Sequence, residues 1–345
     1  MRLTAQHRVA LLLHQGLRNQ GGKTGLAYLR YGAAPVVAVI DADCAGESLR
    51  ELARIESDAP VVASVAEALN YAPDVLLIGL APAGGVLPEP WQQEVQQGVE
   101  AGLSLVNGLH VPMSGLVETL RPGQWIWDAR QEPANLGIGK GKARSLAAKR
   151  ILAVGTDMGV GKMSACLELD RAAKTRGFNS KFVATGQAGM MIAGEGVALD
   201  AVRVDFAAGA VEREVLAAGQ QADVVWIEGQ GSLLHPGSTA TLPLIRGSQP
   251  TGLILAHKVG LERIHNCEGV KIPPLPEVIR LYERVARAGG AFEEAKVKAI
   301  ALNTFDLKQE EAKRAIERTR EETGLFCADV VRFGAGELLE VAIAS

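Results

Sequence analysis

The sequence predicts a two-domain α/β protein with parallel sheets, and three observations lead to this fold class. The chain has 345 residues, more than one hydrophobic core usually serves. Hydrophobic residues make up 48% of it but aromatic residues only 4%, so its cores consist mainly of Ala, Val, Leu and Ile, as is typical of α/β proteins. Short β-branched runs ending in Gly or Asp alternate with helix-like stretches, which indicates repeated strand-helix-strand units.

The first series of strands predicts a Rossmann-like N-terminal domain over residues 1–145. Its expected strands are residues 36–41, 61–63, 75–81 and 104–109, with helices over residues 48–55, 65–69 and 91–101. No G-x-G-x-x-G sequence follows its first strand, so the signal for a dinucleotide site is weak. Asp41 ends a strand, and we interpret it as a turn cap rather than a ribose ligand.

A second series predicts a P-loop domain with a doubly wound parallel sheet over residues 146–345. Residues 137–149, rich in Gly and Lys, are interpreted as the linker, with the boundary near residue 145. The expected strands are residues 150–155, 181–186, 223–229, 252–257 and 298–304, and the expected helices are residues 162–176, 208–218, 276–287 and 309–322.

Composition narrows the partners and the compartment. The net charge is -3, with 36 basic and 39 acidic residues and no long block of one sign, which argues against nucleic-acid binding. The four cysteines form no CxxC pair, so neither disulfides nor a structural zinc site is expected. No apolar run approaches the length of about 18 residues that a membrane span needs. We therefore expect a soluble, cytoplasmic protein. We also expect it to be a homo-oligomer.

The strongest motif is GTDMGVGKMS at residues 155–164, where an apolar strand enters a Gly-rich turn that opens a helix. Such a turn directs backbone N–H groups, the positive end of a helix dipole and the Lys162 ammonium at one point, which suits phosphate oxygens. The sequence therefore predicts a nucleotide-phosphate site. Its cofactor-binding residues are predicted to be Gly155, Thr156, Asp157, Met158, Gly159, Val160, Gly161, Lys162, Met163, Ser164 and, after a later strand, Asn303.

This P-loop departs from the usual G-x-x-x-x-G-K-[ST] pattern in two ways. Met163 occupies the position whose hydroxyl normally coordinates Mg²⁺, and Ser164 lies one residue further on, rotated by about 100° around the helix. Gly155 also stands one residue early. Either Ser164 reaches a metal through a shifted loop, or the divalent-metal site is weakened. This GTDxxVGK variant resembles the loop of dethiobiotin synthetase and its relatives.

The second motif, IEGQGSLLHPG at residues 227–237, places Glu228 at the tip of a buried strand. A carboxylate there can hold Mg²⁺ or its water shell, or act as a base, and His235 can serve as an acid or base. Alternatively, Glu228 binds backbone amides and His235 is an ordinary loop residue. The candidate catalytic residues are Lys162, Glu228 and His235, and the candidate metal ligands are Ser164 and Glu228.

Glycine-rich turns after two strands supply the candidate substrate contacts, because open α/β sheets line their ligand crevice with such turns. Backbone amides after Glu228 could also stabilise an oxyanion. The predicted substrate residues are Thr185, Gln187, Gly229, Gln230 and Gly231.

Together with an N-terminal Rossmann-like domain, the motifs at residues 155–164, 185–196, 227–237 and 301–304 resemble the D-glutamate N-acetyltransferase family, long catalogued as a domain of unknown function. The resemblance implies transfer of acetyl from acetyl-CoA to the amino group of D-glutamate or a similar small amino acid. Coenzyme A carries a 3′-phosphorylated ADP, so the P-loop could hold it without hydrolysis.

Two other functions use the same phosphate site and stay open at this point. One is an ATP-dependent, Mg²⁺-requiring ligase that activates a small carboxylate, as in dethiobiotin synthetase. The other is a nucleotide-dependent switch that binds a partner protein. The phosphate site alone does not distinguish them.

Overall fold

The structure, a computed structural model, describes residues 3–82, 85–115, 119–288 and 294–344, and it divides into two compact units. The first unit comprises Met1–Glu132 and Gln187–Ala201, and the second comprises Pro133–Gly186 and Val202–Ser345. This division falls before Pro133, and the predicted boundary near residue 145 stays a prediction. The buried Glu212 carboxylate accepts hydrogen bonds from the backbone N–H groups of Lys140 and Lys142, which attaches this part of the expected linker to the second unit.

The first unit contains a six-stranded parallel sheet with the strand order β3-β2-β1-β4-β5-β6. This is the order of the Rossmann fold, so the predicted fold of this domain is confirmed. Its strands are β1 (Val9–Leu12), β2 (Val36–Ile40), β3 (Val61–Val62), β4 (Val75–Ile78), β5 (Ser104–Asn107) and β6 (Ile126–Asp128). The helices along residues 1–132 are α1 (Lys23–Tyr31), α2 (Leu49–Ala53), α3 (Val65–Ala68) and α4 (Glu89–Ala101).

Aliphatic side chains build the core of this unit, as the composition predicts. The strands β1 and β4 are buried along their whole length, as expected for central strands of a parallel sheet covered on both faces. Helix α1 lies unusually close to β4, because the N–H of Gly25 donates to the carbonyl of Gly79 at 2.8 Å. A Cβ on Gly79 would stand 2.7 Å from the Cα of Gly25, so this approach requires glycine.

The second unit contains another six-stranded parallel sheet, with the order β14-β13-β10-β7-β9-β8. A separate antiparallel ribbon pairs β11 with β12. The strands are β7 (Lys149–Gly155), β8 (Ser180–Val183), β9 (Val224–Ile227), β10 (Gly252–Lys258), β11 (Arg263–Ile264), β12 (Cys267–Lys271), β13 (Lys296–Asn303) and β14 (Phe326–Ala328). The chain winds from β7 to one side through β8 and β9, then crosses to β10, so a topological switch point lies at β7.

Helices connect the strands of the second sheet. They are α5 (Lys162–Thr175), α7 (Val204–Gly219), α8 (Thr241–Ser248), α9 (Leu275–Arg287), α10 (Gln309–Thr323), α11 (Val330–Phe333) and α12 (Gly336–Ile343), while α6 (Gln187–Ala193) belongs to the first unit. Helix α5 buries Ala165, Leu169 and Ala173 in a cluster with Leu338 and Leu339 of α12. This packing fixes the helix that opens at Lys162, and the doubly wound parallel fold predicted for this domain is confirmed.

Two simple expectations can be compared with the described residues. No helix among them is both long and apolar enough to cross a membrane. All four cysteines are unpaired.

Candidate phosphate-binding site

The P-loop is the turn between the end of β7 at Gly155 and the start of α5 at Lys162. Two of its glycines adopt backbone angles that side chains disfavour, with φ of 67° at Gly159 and 109° at Gly161. Helix α5 is 14 residues long, and its first N–H groups have no carbonyl partner within the helix. These groups and the helix dipole make the turn suited to an anion.

Contacts from other elements of the unit hold the loop in place. The Tyr282 hydroxyl donates to the carbonyl of Gly155 at 2.8 Å, and the Ser232 hydroxyl donates to the carbonyl of Thr156 at 3.0 Å. The buried Asp157 carboxylate accepts hydrogen bonds from two backbone N–H groups, of Met158 at 2.7 Å and of His265 at 2.6 Å. The loop is therefore preorganised by the surrounding chain, which reduces the entropy that a ligand must overcome.

Lys162 places its ammonium inside this turn. The side chain is buried, and Nζ donates to the carbonyl of Asp157 at 2.7 Å. Burial lowers the pKa of Lys162 to about 8, although the nearby negative charges of Asp157 and Glu228 oppose this shift. The ammonium is thus mostly charged at neutral pH, and an anionic ligand would favour the charged form further.

Glu228 follows β9 directly and is also buried. Its Oε2 accepts hydrogen bonds from the N–H groups of Thr185 at 2.9 Å and Gly186 at 3.2 Å. Burial raises the pKa of Glu228 to about 7, while these hydrogen bonds, the Lys162 charge and a hydrogen bond with the Gln230 side chain act against the rise. A carboxyl with this pKa can exchange a proton at neutral pH, as a general base must.

The structure also locates the remaining predicted cofactor residues. Met158 and Gly159 are exposed, Val160 is buried, and Met163 and Ser164 are half-buried on the first turn of α5. Asn303 ends β13 beside the loop, since a Cβ on Gly161 would stand 3.7 Å from its Nδ2.

The predicted substrate residues fall into different surroundings. Thr185 is fully buried, and its hydroxyl donates to the carbonyl of Glu228 at 2.7 Å, so in this structure it positions Glu228. The Gln230 side chain lies over Gly186, where an added Cβ would come within 2.4 Å of its Nε2. Gln187 is the first residue of α6 and belongs to the first unit.

The two glycines after Glu228 have a structural requirement of their own. A Cβ on Gly229 would stand 1.8 Å from the carbonyl oxygen of Ala153, and one on Gly231 would stand 1.7 Å from the Ser238 hydroxyl oxygen. Gly231 also has a φ of 67°. The glycines are therefore needed for the path of the backbone, and any role as N–H donors to substrate stays a prediction.

The chain supplies few ligands for a divalent metal at this site. No group of three or more His, Cys, Asp and Glu residues that could hold a metal lies within the described part of the chain. Glu228 already accepts two backbone hydrogen bonds and has a raised pKa, and Met163 provides no hydroxyl. The assignment of Ser164 and Glu228 as metal ligands stays a prediction.

His235 makes a local contact. Its Nδ1 accepts a hydrogen bond from the N–H of Gly237 at 3.0 Å within the same loop. This bond assigns the ring proton to Nε2. Its assignment as a catalytic acid or base stays a prediction.

Two side chains outside the predicted site residues support the loop. His257 is the penultimate residue of β10 and shares a 2.9 Å hydrogen bond between its Nδ1 and the Thr156 hydroxyl. Tyr282 contacts Gly155 from the buried face of α9. His257 stands at a strand end, where a polar residue is a weak sign of a ligand site. Tyr282 occupies an apolar position of an amphipathic helix, and nothing in the sequence distinguishes it from an ordinary core residue.

The fold and this site together define a P-loop protein in which the P-loop domain follows a Rossmann-like domain. The chain belongs to the DUF1611 family, a family described by a domain of unknown function. Its P-loop domain matches residues 137–339, and its N-terminal Rossmann-like domain matches residues 42–132.

Known relatives extend over most of the chain. A protein from a Pseudoalteromonas species named D-glutamate N-acetyltransferase is 32% identical, with 80% of this chain and 83% of that protein covered. A protein of the same name from Tritonibacter scottomollicae is 36% identical, over 78% of this chain and 81% of its own. The crystal structure of a DUF1611 family protein from Anabaena variabilis has a TM-score of 0.95 and 59% identity, covering 98% of this chain and 99% of that one. These relatives support the expected N-acetyltransferase enzyme.

Proposed function

We propose that this protein transfers acetyl from acetyl-CoA to the amino group of D-glutamate or a similar small amino acid. The names of the two enzyme relatives support the reaction, and both cover about four fifths of the chain. The observation that carries the proposal is the convergence of the first N–H groups of α5 and the buried Lys162 ammonium in one turn.

The phosphates of coenzyme A suit this turn because they are anionic and need only be held. Acetyl-CoA supplies the acetyl group as a thioester, which is already activated for attack by an amine. No phosphate has to be cleaved, so Met163 at the usual hydroxyl position carries no penalty. The chain residues that would hold the phosphates are Lys162 and the glycines of the loop, with Asn303 beside them.

Glu228 is the group best suited to take a proton from the substrate ammonium. Its raised pKa, about 7, leaves a substantial fraction of the carboxylate free and still makes it basic enough to bind a proton. Deprotonation frees the nitrogen lone pair to attack the acetyl carbonyl. The N–H groups of residues 229–231 would then donate to the oxyanion that forms, whereas the N–H of Ser232 already donates to the Ser238 hydroxyl at 3.0 Å. The CoA sulfur would take up a proton, and CoA would leave as the thiol.

The first test is an activity assay on the purified full-length protein. We expect incubation with acetyl-CoA and D-glutamate to give N-acetyl-D-glutamate by mass spectrometry, with release of free thiol. L-glutamate in a parallel reaction measures the preference for the acceptor. Mg-ATP turnover stimulated by a small carboxylate, without acetylation, would instead identify the ligase alternative. Nucleotide-dependent association with another protein, without turnover, would identify the switch.

A further inference from the structure

The second unit contains a cavity of about 570 Å³, and none of the P-loop residues 155–164 lines it. Its walls come from the end of β10, the loop and ribbon that follow, and helix α10. Pockets for ligands of drug size span about 300–1,000 Å³. The volume therefore suits a nucleoside more closely than a small amino acid.

Two hydrogen bonds connect this cavity to the P-loop. His257 lines the cavity, and its Nδ1 shares the 2.9 Å hydrogen bond with the Thr156 hydroxyl. The turn of the β11–β12 ribbon donates to the P-loop as well, through the N–H of His265 and the Asp157 carboxylate. The ribbon and the wall of the cavity are therefore in direct contact with the P-loop.

The cavity combines apolar walls with basic residues. Leu261, Ile272 and Leu302 are among its apolar lining residues, which suit the faces of a planar base. Burial lowers the pKa of His257 to about 4, so its imidazole is neutral and adds no charge to this wall. A flat, weakly polar ring can therefore enter without leaving a charged group desolvated.

Three cations line the same cavity: Arg263 and Lys271 of the ribbon and Arg318 of α10. Arg263 and Lys271 are paired directly across the ribbon, so the two side chains are neighbours on it. The lining also includes two carboxylates, Glu262 and Glu322. Glu322 accepts a hydrogen bond from the N–H of Leu275 at 3.2 Å, so part of its acceptor capacity is used.

We propose that this cavity binds the 3′-phosphorylated adenosine end of coenzyme A, with Lys271 and Arg318 contacting the 3′-phosphate. The inference rests on the proposed function, because it assumes that the P-loop holds the diphosphate of the same molecule. It assigns selection of coenzyme A over other adenine nucleotides to the ribbon and α10, rather than to the P-loop.

Isothermal titration calorimetry on the full chain tests this assignment with coenzyme A and dephospho-CoA, which lacks only the 3′-phosphate. We expect the unaltered protein to bind coenzyme A about tenfold or more tightly than dephospho-CoA, as charge-assisted hydrogen bonds would provide. Lys271→Ala with Arg318→Ala should abolish this preference by weakening only coenzyme A. Lys313→Ala, which removes an exposed cation of α10 outside the cavity, is the matched control and should retain the preference.

The outcomes separate this inference from the proposed function. Equal affinity of the unaltered protein for the two ligands, or equal weakening of both by the double substitution, would overturn the cavity assignment while acetyl transfer continued. A protein that binds neither ligand and acetylates nothing would overturn both. Circular dichroism of the double variant guards against misfolding, and Lys271→Gln with Arg318→Gln repeats the charge removal with longer side chains.

Discussion

Both units have polar groups at the carboxyl ends of parallel strands, but the interactions of these groups differ between the units. In the first unit, Asp41 follows β2 and is fully buried, and its carboxylate accepts hydrogen bonds from the backbone N–H groups of Gln15 at 3.0 Å, Leu17 at 3.3 Å and Asp43 at 3.3 Å. This confirms that Asp41 caps a turn. Its acceptor capacity is thus taken up by the chain itself.

A buried histidine in the first unit follows the same pattern. The Nδ1 of His14 accepts a hydrogen bond from the N–H of Ala42 at 3.2 Å, and Nε2 donates to Glu94 at 3.1 Å. Its ring also stacks on Trp91, with the ring centroids 5.4 Å apart. In the second unit, by contrast, Lys162 and Glu228 have shifted pKa values, and the first N–H groups of α5 point into the turn. Lys162 and Glu228 also make hydrogen bonds within the chain, but their pKa values of about 8 and 7 let their charges change near neutral pH, so they can respond to a ligand.

Glu228→Gln should produce the largest change in activity. Removing a general base typically reduces kcat by about 10²- to 10⁴-fold. Glutamine keeps the size of the side chain and an oxygen that can accept from Thr185, so we expect acetyl-CoA affinity to change little. Steady-state kinetics and calorimetry on the same preparation measure the two effects separately.

His235→Asn is compared with Glu228→Gln to decide which of the two residues is the general base. The asparagine oxygen can still accept the N–H of Gly237, so the loop should keep its conformation. We expect only a small change in kcat if Glu228 is the base. A loss of kcat at His235 as large as the loss at Glu228, with a mild effect of Glu228→Gln, would transfer the role to the histidine.

Lys162→Ala should cause the next largest effect, on binding. The buried ammonium is the cation within the P-loop turn, and we expect acetyl-CoA affinity to fall about 100-fold, measured by calorimetry. Lys174→Ala on the same helix removes an exposed cation that pairs with Asp170 at 2.6 Å and should leave affinity unchanged. Full affinity in the Lys162 variant would refute the phosphate assignment.

The sequence predicted the P-loop accurately because glycine spacing, strand and helix are local properties. Helix α5 begins at Lys162, as the motif requires, and Glu228 follows β9. The pKa of Glu228 was beyond sequence reasoning, because it depends on burial by distant parts of the chain and on N–H donors more than 40 residues away.

The first unit shows the limit of local patterns more clearly. Strand β1 (Val9–Leu12) has only four residues and no turn signal of its own, so its apolar run did not predict a strand, although it is the central strand that pairs with β2 and β4. Only the parallel pairing on both sides identifies it. Likewise, no compositional change marks residues 187–201 as part of the first unit, because membership in a unit depends on long-range packing.

Asp41→Asn tests whether the buried Asp41 carboxylate stabilises the first unit. The amide nitrogen of asparagine cannot accept a hydrogen bond, so at least one buried backbone N–H loses its partner, at a cost of about 1–3 kcal/mol in the free energy of unfolding. Urea unfolding followed by tryptophan fluorescence reports mainly on this unit, since Trp91, Trp125 and Trp127 lie in it and Trp226 lies in the other.

Asp43, an exposed residue close to Asp41, provides the control for Asp41→Asn. Asp43→Asn removes the same charge from the same turn without a buried partner, so we expect a change in unfolding free energy within about 0.5 kcal/mol. Both variants should retain acetyl-CoA affinity. Weaker acetyl-CoA binding by Asp41→Asn alone, at unchanged stability, would contradict the view that this carboxylate serves the fold.

The smallest expected effect is the pH dependence of the unaltered enzyme. The deprotonated fraction of Glu228 rises as pH increases through about 7, and the charged fraction of Lys162 falls as pH increases through about 8. The plot of log kcat/KM against pH should therefore be bell-shaped, with its maximum between these values. Between about pH 7 and 8 the rate should vary only about twofold, because the two fractions change in opposite directions.

Lys162→Arg keeps the loop cation charged, since guanidinium does not deprotonate in this range, and should remove the alkaline limb alone. Glu228→Gln should remove the acid limb alone. A profile that keeps both limbs in these variants would mean that groups other than Glu228 and Lys162 titrate.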